Sequence, residues 1–427
     1  DFEHVLLLSC NDGKLPKVVN DASFLPYSIR KAYGLTTIDN KISIYSYYFH
    51  SIIQRATDIT MIYNSSTENG RGEMSRFMLQ LMIESPHNII CENLQAGCTS
   101  AQSVPHCIDK NENVMNILNG MKKISPSAVN QYMRCQIQFF YNYIANIKEP
   151  DNNDDDTVDN RIFGNIFHKA AFYIYKDMSD NDGLVKSSDI DRYLKDPRIV
   201  ESVVDRVFNE ELFKSDSIQT APEYNGLQII NREVIIGYLR QLMRLDREMA
   251  PFRILGLEMP AYTTVCFNTS DGQRCIEIGG IIDRMDMAGK DFEKIRVVDY
   301  KTGRQPTKKI NSIDEIFSSE SIENKHGDYF FQVMLYSLII STSNEHAKSG
   351  KMVSPALFFI RHSMQDKYDP TLNIADKPID DIRNYSDEFE EKLKHVLGEI
   401  FEPQTAFTPT KHKTRCLSCP YKAICCI

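Results

Sequence analysis

Ile281-Ile282-Asp283-Arg284-Met285-Asp286 and, a turn later, Val297-Val298-Asp299-Tyr300-Lys301-Thr302-Gly303 are the two segments whose reading decides the fold. Both are rich in Ile and Val and bounded by Gly and Asp, which marks strands. Each delivers a carboxylate from an apolar background. The second adds a lysine two residues after Asp299, on the same strand face. Mg²⁺ takes oxygen ligands and usually only one or two protein carboxylates, so Asp283 and Asp299 fit a site for a hard divalent ion. Such an ion polarises a phosphoryl oxygen and lowers the pKa of a water, as phosphodiester hydrolysis requires. Lys301 would hold the attacking water or offset charge on the phosphate. A bare Asp-x-Lys triplet also occurs as a surface ion pair on an edge strand, so the triplet alone leaves both readings open. Asp286, three residues past Asp283, falls on the opposite face of a regular strand and reads as structural.

Working outward, strands are expected over 254–264, 276–287 and 295–300, three neighbours that make a sheet. A helix over 329–340, a strand over 356–360, a helix over 379–400 and a Cys-rich tail follow. Upstream, Ser125-Pro126-Ser127-Ala128 reads as a capped helix start. A second helix follows Gly164 and carries His168, and helical segments run over 187–250. Residues 1–105 alternate strands (5–9, 59–63, 88–91) with helices (45–55, 74–83), the pattern of a further α/β unit. Between 94 and 126 the periodicity weakens at Gly97, Ser100, Ser103 and Pro105. The reading is therefore mixed α/β, with a unit at 1–105, a linker at 106–124 and a second domain at 125–427.

The length of 427 residues favours two or three domains. At 42% hydrophobic and 25% charged, with no Trp, the composition is that of a globular protein. No apolar run approaches the roughly 20 residues of a membrane span, so no membrane helix is expected. The acidic start Asp1-Phe2-Glu3-His4 does not look like a signal peptide, and a cytoplasmic location is expected. A start at Asp1, without an initiator Met, suggests a piece of a longer polypeptide. The net charge of −9 argues against coating nucleic acid by bulk attraction. It comes partly from the acidic loop 149–156, whereas Arg304, Lys308 and Lys309 directly follow the carboxylate pair.

Four motifs in order resemble the RecB and AddB-type branch of the PD-(D/E)XK nucleases. They are Gly164-Asn165-Ile166-Phe167-His168, Gly280 to Asp286, Val298 to Gly303, and Gln332-Val333-Met334-Leu335-Tyr336. The resemblance implies a restriction-endonuclease-like mixed sheet flanked by helices. It implies that His168, Asp283, Asp299 and the backbone carbonyl of Tyr300 bind Mg²⁺ or Mn²⁺, with Lys301 catalytic. Gln332 and Tyr336, one turn apart on a helix, would line the site or contact the DNA backbone. Glu258, one strand earlier, is either a further acidic member of the site or a solvated strand residue.

Eleven cysteines without an export signal read as thiols or metal ligands rather than a disulfide framework. Cys416, Cys419 and Cys425 form C-x2-C-x5-C, three soft ligands that need a fourth. By the same resemblance Cys135 is that fourth ligand and the group is a [4Fe-4S] cluster stapling the two ends of the domain; four thiolates also suit zinc. Cys426 is an alternative to Cys425. Cys10, Cys91, Cys98, Cys107, Cys266 and Cys275 lack ligand spacing and are expected to be buried thiols.

The front end, with Gly13-Lys14-Leu15-Pro16, the segment around Arg55 and Gly70-Arg71-Gly72-Glu73-Met74-Ser75-Arg76, resembles part of a superfamily 1 helicase second motor domain in its AddB-type form. No G-x-x-x-x-G-K-[ST] phosphate loop is present, so no ATPase activity is expected from this chain. Together these resemblances imply an exonuclease acting on single-stranded DNA ends in double-strand-break repair by recombination. It would work beside a helicase-nuclease partner of the AddA type. The rival readings are an inactive DNA-binding scaffold and a freestanding nuclease of the CRISPR-adaptation kind.

Overall fold

The computed structural model describes residues 2–17, 25–67, 70–87, 89–93, 107–148, 158–179, 182–213, 224–289, 292–303, 308–343, 346, 350–362 and 368–425. Gly97, Ser100, Ser103, Pro105, the acidic loop 149–156, Cys98, Arg304 and Cys426 lie outside them. The chain divides into two units, residues 1–99 and 100–427.

In the first unit β1 (His4–Leu7) pairs in parallel with β2 (Asp58–Met61), in register His4↔Asp58, and α1 (Ile38–Ile53) makes the crossover. A small core of Val5, Phe49, Ile53 and Phe77 closes it, the last from α2 (Arg76–Glu84). The turn at Asp12–Pro16 is tied to the segment before α2: Arg76 grips both oxygens of Asp12 at 2.9 Å, and Ser75 Oγ donates to the Leu15 carbonyl. The expected strand at 88–91 does not form over 89–91.

The span expected as a linker, 106–124, carries regular structure in its second half. Residues 112–124 form α3 (Glu112–Gly120), capped by Asn111, and β3 (Lys123–Ile124), and they send Val114, Leu118 and Ile124 into the core of the second unit. Small polar residues hid an amphipathic helix whose apolar positions are only two turns long.

The second unit then runs through α4 (Pro126–Arg134), α5 (Asn160–Met178), β4 (Leu184–Val185), α6 (Ser187–Lys195), α7 (Pro197–Phe208) and α8 (Gly226–Met249). Three strands follow, β5 (Phe252–Thr269), β6 (Gly272–Ala288) and β7 (Lys294–Lys301), then α9 (Gly327–Thr342), β8 (Met352–Phe359) and α10 (Ser386–Phe401). The sheet order is β8-β7-β6-β5-β4, with β3 beside β6. β8 is parallel to β7; β7, β6 and β5 are antiparallel in turn. β3 runs parallel to the start of β6 at Lys123↔Glu277, and β7 pairs with its end from Arg284↔Val298 onward.

Helices cover both faces. Val298, Tyr300, Ala356 and Phe358 pack into a cluster with α5, α7 and α8, whereas Val297, Leu357 and Phe359 pack with α9 and α10. This two-sided burial explains why β8 reads as a near-continuous apolar run.

Of the described thiols expected to be buried, Cys10 is; Cys91 and Cys107 are exposed. Cys266 and Cys275 face each other across β5 and β6 and form a disulfide. Spacing alone missed the pair because hairpin register, not sequence distance, sets them opposite one another.

Candidate metal and phosphodiester site

Three elements meet where β6 passes between its two edge partners. β6 brings Asp283, β7 brings Asp299 and Lys301, and α5 brings His168. The Tyr300 amide donates to Asp283 Oδ2 at 2.8 Å, and His168 Nδ1 lies 3.2 Å from Asp283 Oδ1. Lys301 Nζ sits 2.8 Å from Asp299 Oδ2, donates to Gln332 Oε1 at 3.3 Å, and lies 4.7 Å from the centroid of the Tyr329 ring. Asp299 is 4% exposed, and despite the nearby ammonium its Oδ2 receives no aligned hydrogen bond.

Glu258 completes the group. Its backbone has φ +47°, the left-handed region, immediately after the irregularity in β5–β6 pairing between Ile254 and Gly256. Ligand atoms of His168, Glu258 and Asp283 lie within 4.8 Å of one another, and among the described residues no other set of three His, Cys, Asp or Glu side chains does so. The strand pattern could place Glu258 next door but not decide its direction; the irregular backbone does that.

Burial and like charge strain this cluster. Burial raises the Asp299 carboxyl; Lys301 pulls it back, and Asp283 adds to the rise. Glu258 is raised by burial and then by Asp283. Burial also works against the Asp283 carboxylate, but His168, the Tyr300 amide and Lys301 hold it below the ordinary range. Burial disfavours the His168 imidazolium, yet Asp283 and Asp299 keep its pKa above the usual value. Three carboxylates face two cationic groups, and the buried Asp299 Oδ2 that Lys301 approaches receives no aligned hydrogen bond. A divalent cation fits that donor set, one imidazole and hard oxygens, and would relieve the repulsion.

Gln332 and Tyr336 lie one turn apart on α9, Gln332 on the Lys301 amine and Tyr336 against β6. A methyl group on Gly280 would overlap the Tyr336 hydroxyl. The motif glycine is therefore required by the motif tyrosine. Burial pushes the Tyr336 hydroxyl up to about 12, so it stays protonated.

Behind the site is a feature the sequence reading missed apart from Asp286. Arg284 is fully buried and ion-pairs with Asp246 at 2.5 Å and with Asp286 at 2.8 Å, while Arg296 holds Asp286 at 2.7 Å. Arg284 also donates to the Tyr300 hydroxyl at 3.1 Å, and Tyr175 donates to Asp246. The available signal was Asp246 itself, which continues the buried stripe of Leu239, Leu242 and Met243 on α8.

Cys135, at the end of α4, converges with the tail. Burial first, then Cys419, Cys135 and Cys416, push the Cys425 thiol up. Tyr421 donates to the Ile147 carbonyl at 2.7 Å, and Gln136 accepts from the Thr408 amide at 2.8 Å. Among the described residues no three of these sulfurs lie within 4.8 Å of one another, so a tight tetrahedron is not preformed. Lys309 pairs with Asp376, away from the carboxylates.

A mixed sheet with helices on both faces, and acidic side chains from two adjacent strands joined by a strand lysine, defines a phosphodiesterase-like site. The chain belongs to the PD-(D/E)XK nuclease superfamily, whose family model matches residues 123–426. It is also similar to an ATP-dependent helicase/deoxyribonuclease subunit of Clostridium acetobutylicum, with 22% identity over 280 residues. That match takes in 63% of this chain but 22% of the relative, so the chain spans less than a quarter of that protein's length.

Proposed function

We propose that this chain is a divalent-metal-dependent deoxyribonuclease that degrades single-stranded DNA ends within a helicase-nuclease assembly of the AddAB kind, in the recombinational repair of double-strand breaks. The observation that carries it is the grouping of His168, Glu258 and Asp283 within 4.8 Å of one another in a PD-(D/E)XK domain, with Asp299, which feels the Asp283 charge, ion-paired to Lys301 beside them. His168, Glu258, Asp283, Asp299 and the Tyr300 carbonyl would hold Mg²⁺ or Mn²⁺. When bound, the ion polarises the phosphoryl oxygen and makes a water nucleophilic at neutral pH.

The protein's own groups do the rest. Although burial disfavours it, the Lys301 ammonium is kept charged by Asp299, so it can orient the water or meet charge developing on the phosphate. Gln332 and the Tyr329 ring hold that ammonium in place. The name of the relative and the helicase-like turn tied to Arg76 support a role beside a motor protein. The intact carboxylates and lysine speak against an inactive scaffold, and the front unit disfavours a freestanding CRISPR-type enzyme. Cleavage of single- and double-stranded DNA labelled at either end, with and without Mg²⁺, tests the reading; no Mg²⁺-dependent cleavage of any substrate rejects it.

We also infer that Cys135, Cys416, Cys419 and Cys425 hold a [4Fe-4S] cluster that joins the domain's ends. The three other thiols all act on Cys425, which supports one shared group; zinc is the alternative occupant for four thiolates. Anaerobically purified protein should be brown and contain iron, and Cys135→Ser should lose both. A colourless protein with stoichiometric zinc would reverse the assignment.

A further inference from the structure

The solvent face of the β5–β6 hairpin leads away from the carboxylates as a continuous path. Across the two strands the pairs are Pro260↔Ile281, then Tyr262↔Gly279, then Thr264↔Glu277, and Glu258 with Asp283 stands at the head of this row. Ile281 is 53% exposed and Tyr262 40% exposed, both large for apolar groups on a sheet. Tyr262 and Gly279 line an open, mostly apolar cavity of about 300 Å³ with Lys123, Met121 and Tyr143. Position 279 must be glycine for the strands to pair here: a Cβ would strike the Ala261 carbonyl and the Tyr262 backbone. On its rim Lys123 Nζ sits 4.6 Å above the Tyr262 ring, held there by Glu277 Oε2 at 2.9 Å. Tyr262 lies four strand steps beyond Glu258, roughly 13 Å at about 3.3 Å per residue.

We propose that this cavity is a base-stacking subsite for single-stranded nucleic acid. An unpaired base flanking the scissile phosphate stacks on Tyr262, and Lys123 meets the neighbouring backbone phosphate. An aromatic face accepts any base, but only one that is not already stacked in a duplex. The path continues the metal site without a break, and its aromatic ring and ammonium match the base and phosphate of one strand. The subsite deepens the nuclease reading and rests on it; it supplies the single-strand preference that the carboxylates alone do not.

The test uses full-length protein carrying Asp299→Ala, so that substrate is bound but not cut, and oligonucleotides with 2-aminopurine at successive positions. Fluorescence quenching should be strongest at one position, within a few nucleotides of the cleavage point mapped with the unsubstituted protein. Adding Tyr262→Ala should abolish that quenching and raise Kd roughly 5- to 100-fold, whereas Tyr262→Phe, which keeps the ring, should preserve both. Unchanged affinity and quenching in Tyr262→Ala, or no binding at all, overturns the subsite. Failure of the nuclease reading would look different: Tyr262-dependent quenching by a protein that, with Asp299 intact, cleaves nothing.

Discussion

The backbone amide of Tyr300 donates to Asp283 Oδ2 at 2.8 Å, so the strand that carries Asp299 and Lys301 also fixes the carboxylate of its neighbour. One residue thereby serves both sides of the sheet. Its amide sets Asp283 toward the site, and its hydroxyl accepts from Arg284 in the core at 3.1 Å. The acidic cluster is held by a rigid pair of strands rather than by loops, as a site built for one geometry requires.

Asp299→Ala and Lys301→Ala should each lower Mg²⁺-dependent cleavage of labelled single-stranded DNA by about 10²–10³-fold or more, the scale of losing one transition-state charge partner. Circular dichroism should be unchanged, because both side chains lie at the end of β7 beside the site. Undiminished cleavage in both variants would end the assignment.

The pH dependence of metal activation should follow His168. Its imidazole is held above the usual 6.5 by Asp283 despite the opposing effect of burial, and a metal ligand must be deprotonated to bind. As pH rises toward and through that raised value the half-saturating Mn²⁺ concentration should fall, by up to about tenfold per unit for one displaced proton. His168→Asn should bind metal more weakly and flatten the profile. An unaltered profile in that variant would remove His168 from the ligand set.

Gly280→Ala should damage activity through the Tyr336 hydroxyl, which occupies the space a methyl would take. Adding Tyr336→Phe should recover part of the loss, since it removes the overlapping oxygen, and the two effects should be non-additive by about 0.5–3 kcal/mol in a stability cycle. Strict additivity would mean that the two residues do not share that space.

Arg284→Met should destabilise the second unit by about 3–5 kcal/mol in denaturant unfolding, because it leaves Asp246 and Asp286 buried without their shared cation. Burial opposes the Asp286 carboxylate, but Arg296 and Arg284 hold its pKa below 3.8. Its native state therefore binds fewer protons than its unfolded state in that window. The contribution of Asp286 is full above 3.8 and is lost as pH falls through the lower folded-state value. The stability gap between the natural protein and Asp286→Asn should stay constant at neutral pH and shrink only in strong acid. A gap that narrows already at neutral pH would contradict this pairing.

The sequence by itself determined the local elements and the chemistry they carry. Apolar runs bounded by Gly and Asp gave strands, and the period-2 alternation around Asp283, Asp286, Asp299 and Lys301 assigned their faces, because a strand face depends only on residue parity. His168, Gln332 and Tyr336 were legible only through the resemblance of their motifs to the family, since each taken alone reads as an ordinary core or half-buried residue. Tertiary structure alone decided what depends on register and on chain segments far apart. It turned Glu258 into the site through a left-handed backbone, set Cys266 against Cys275, buried Asp246 against Arg284, and drew Val114, Leu118 and Ile124 into the core. Those outcomes depend on which atoms of distant elements come within a few ångströms of one another, and no spacing along the chain encodes that distance.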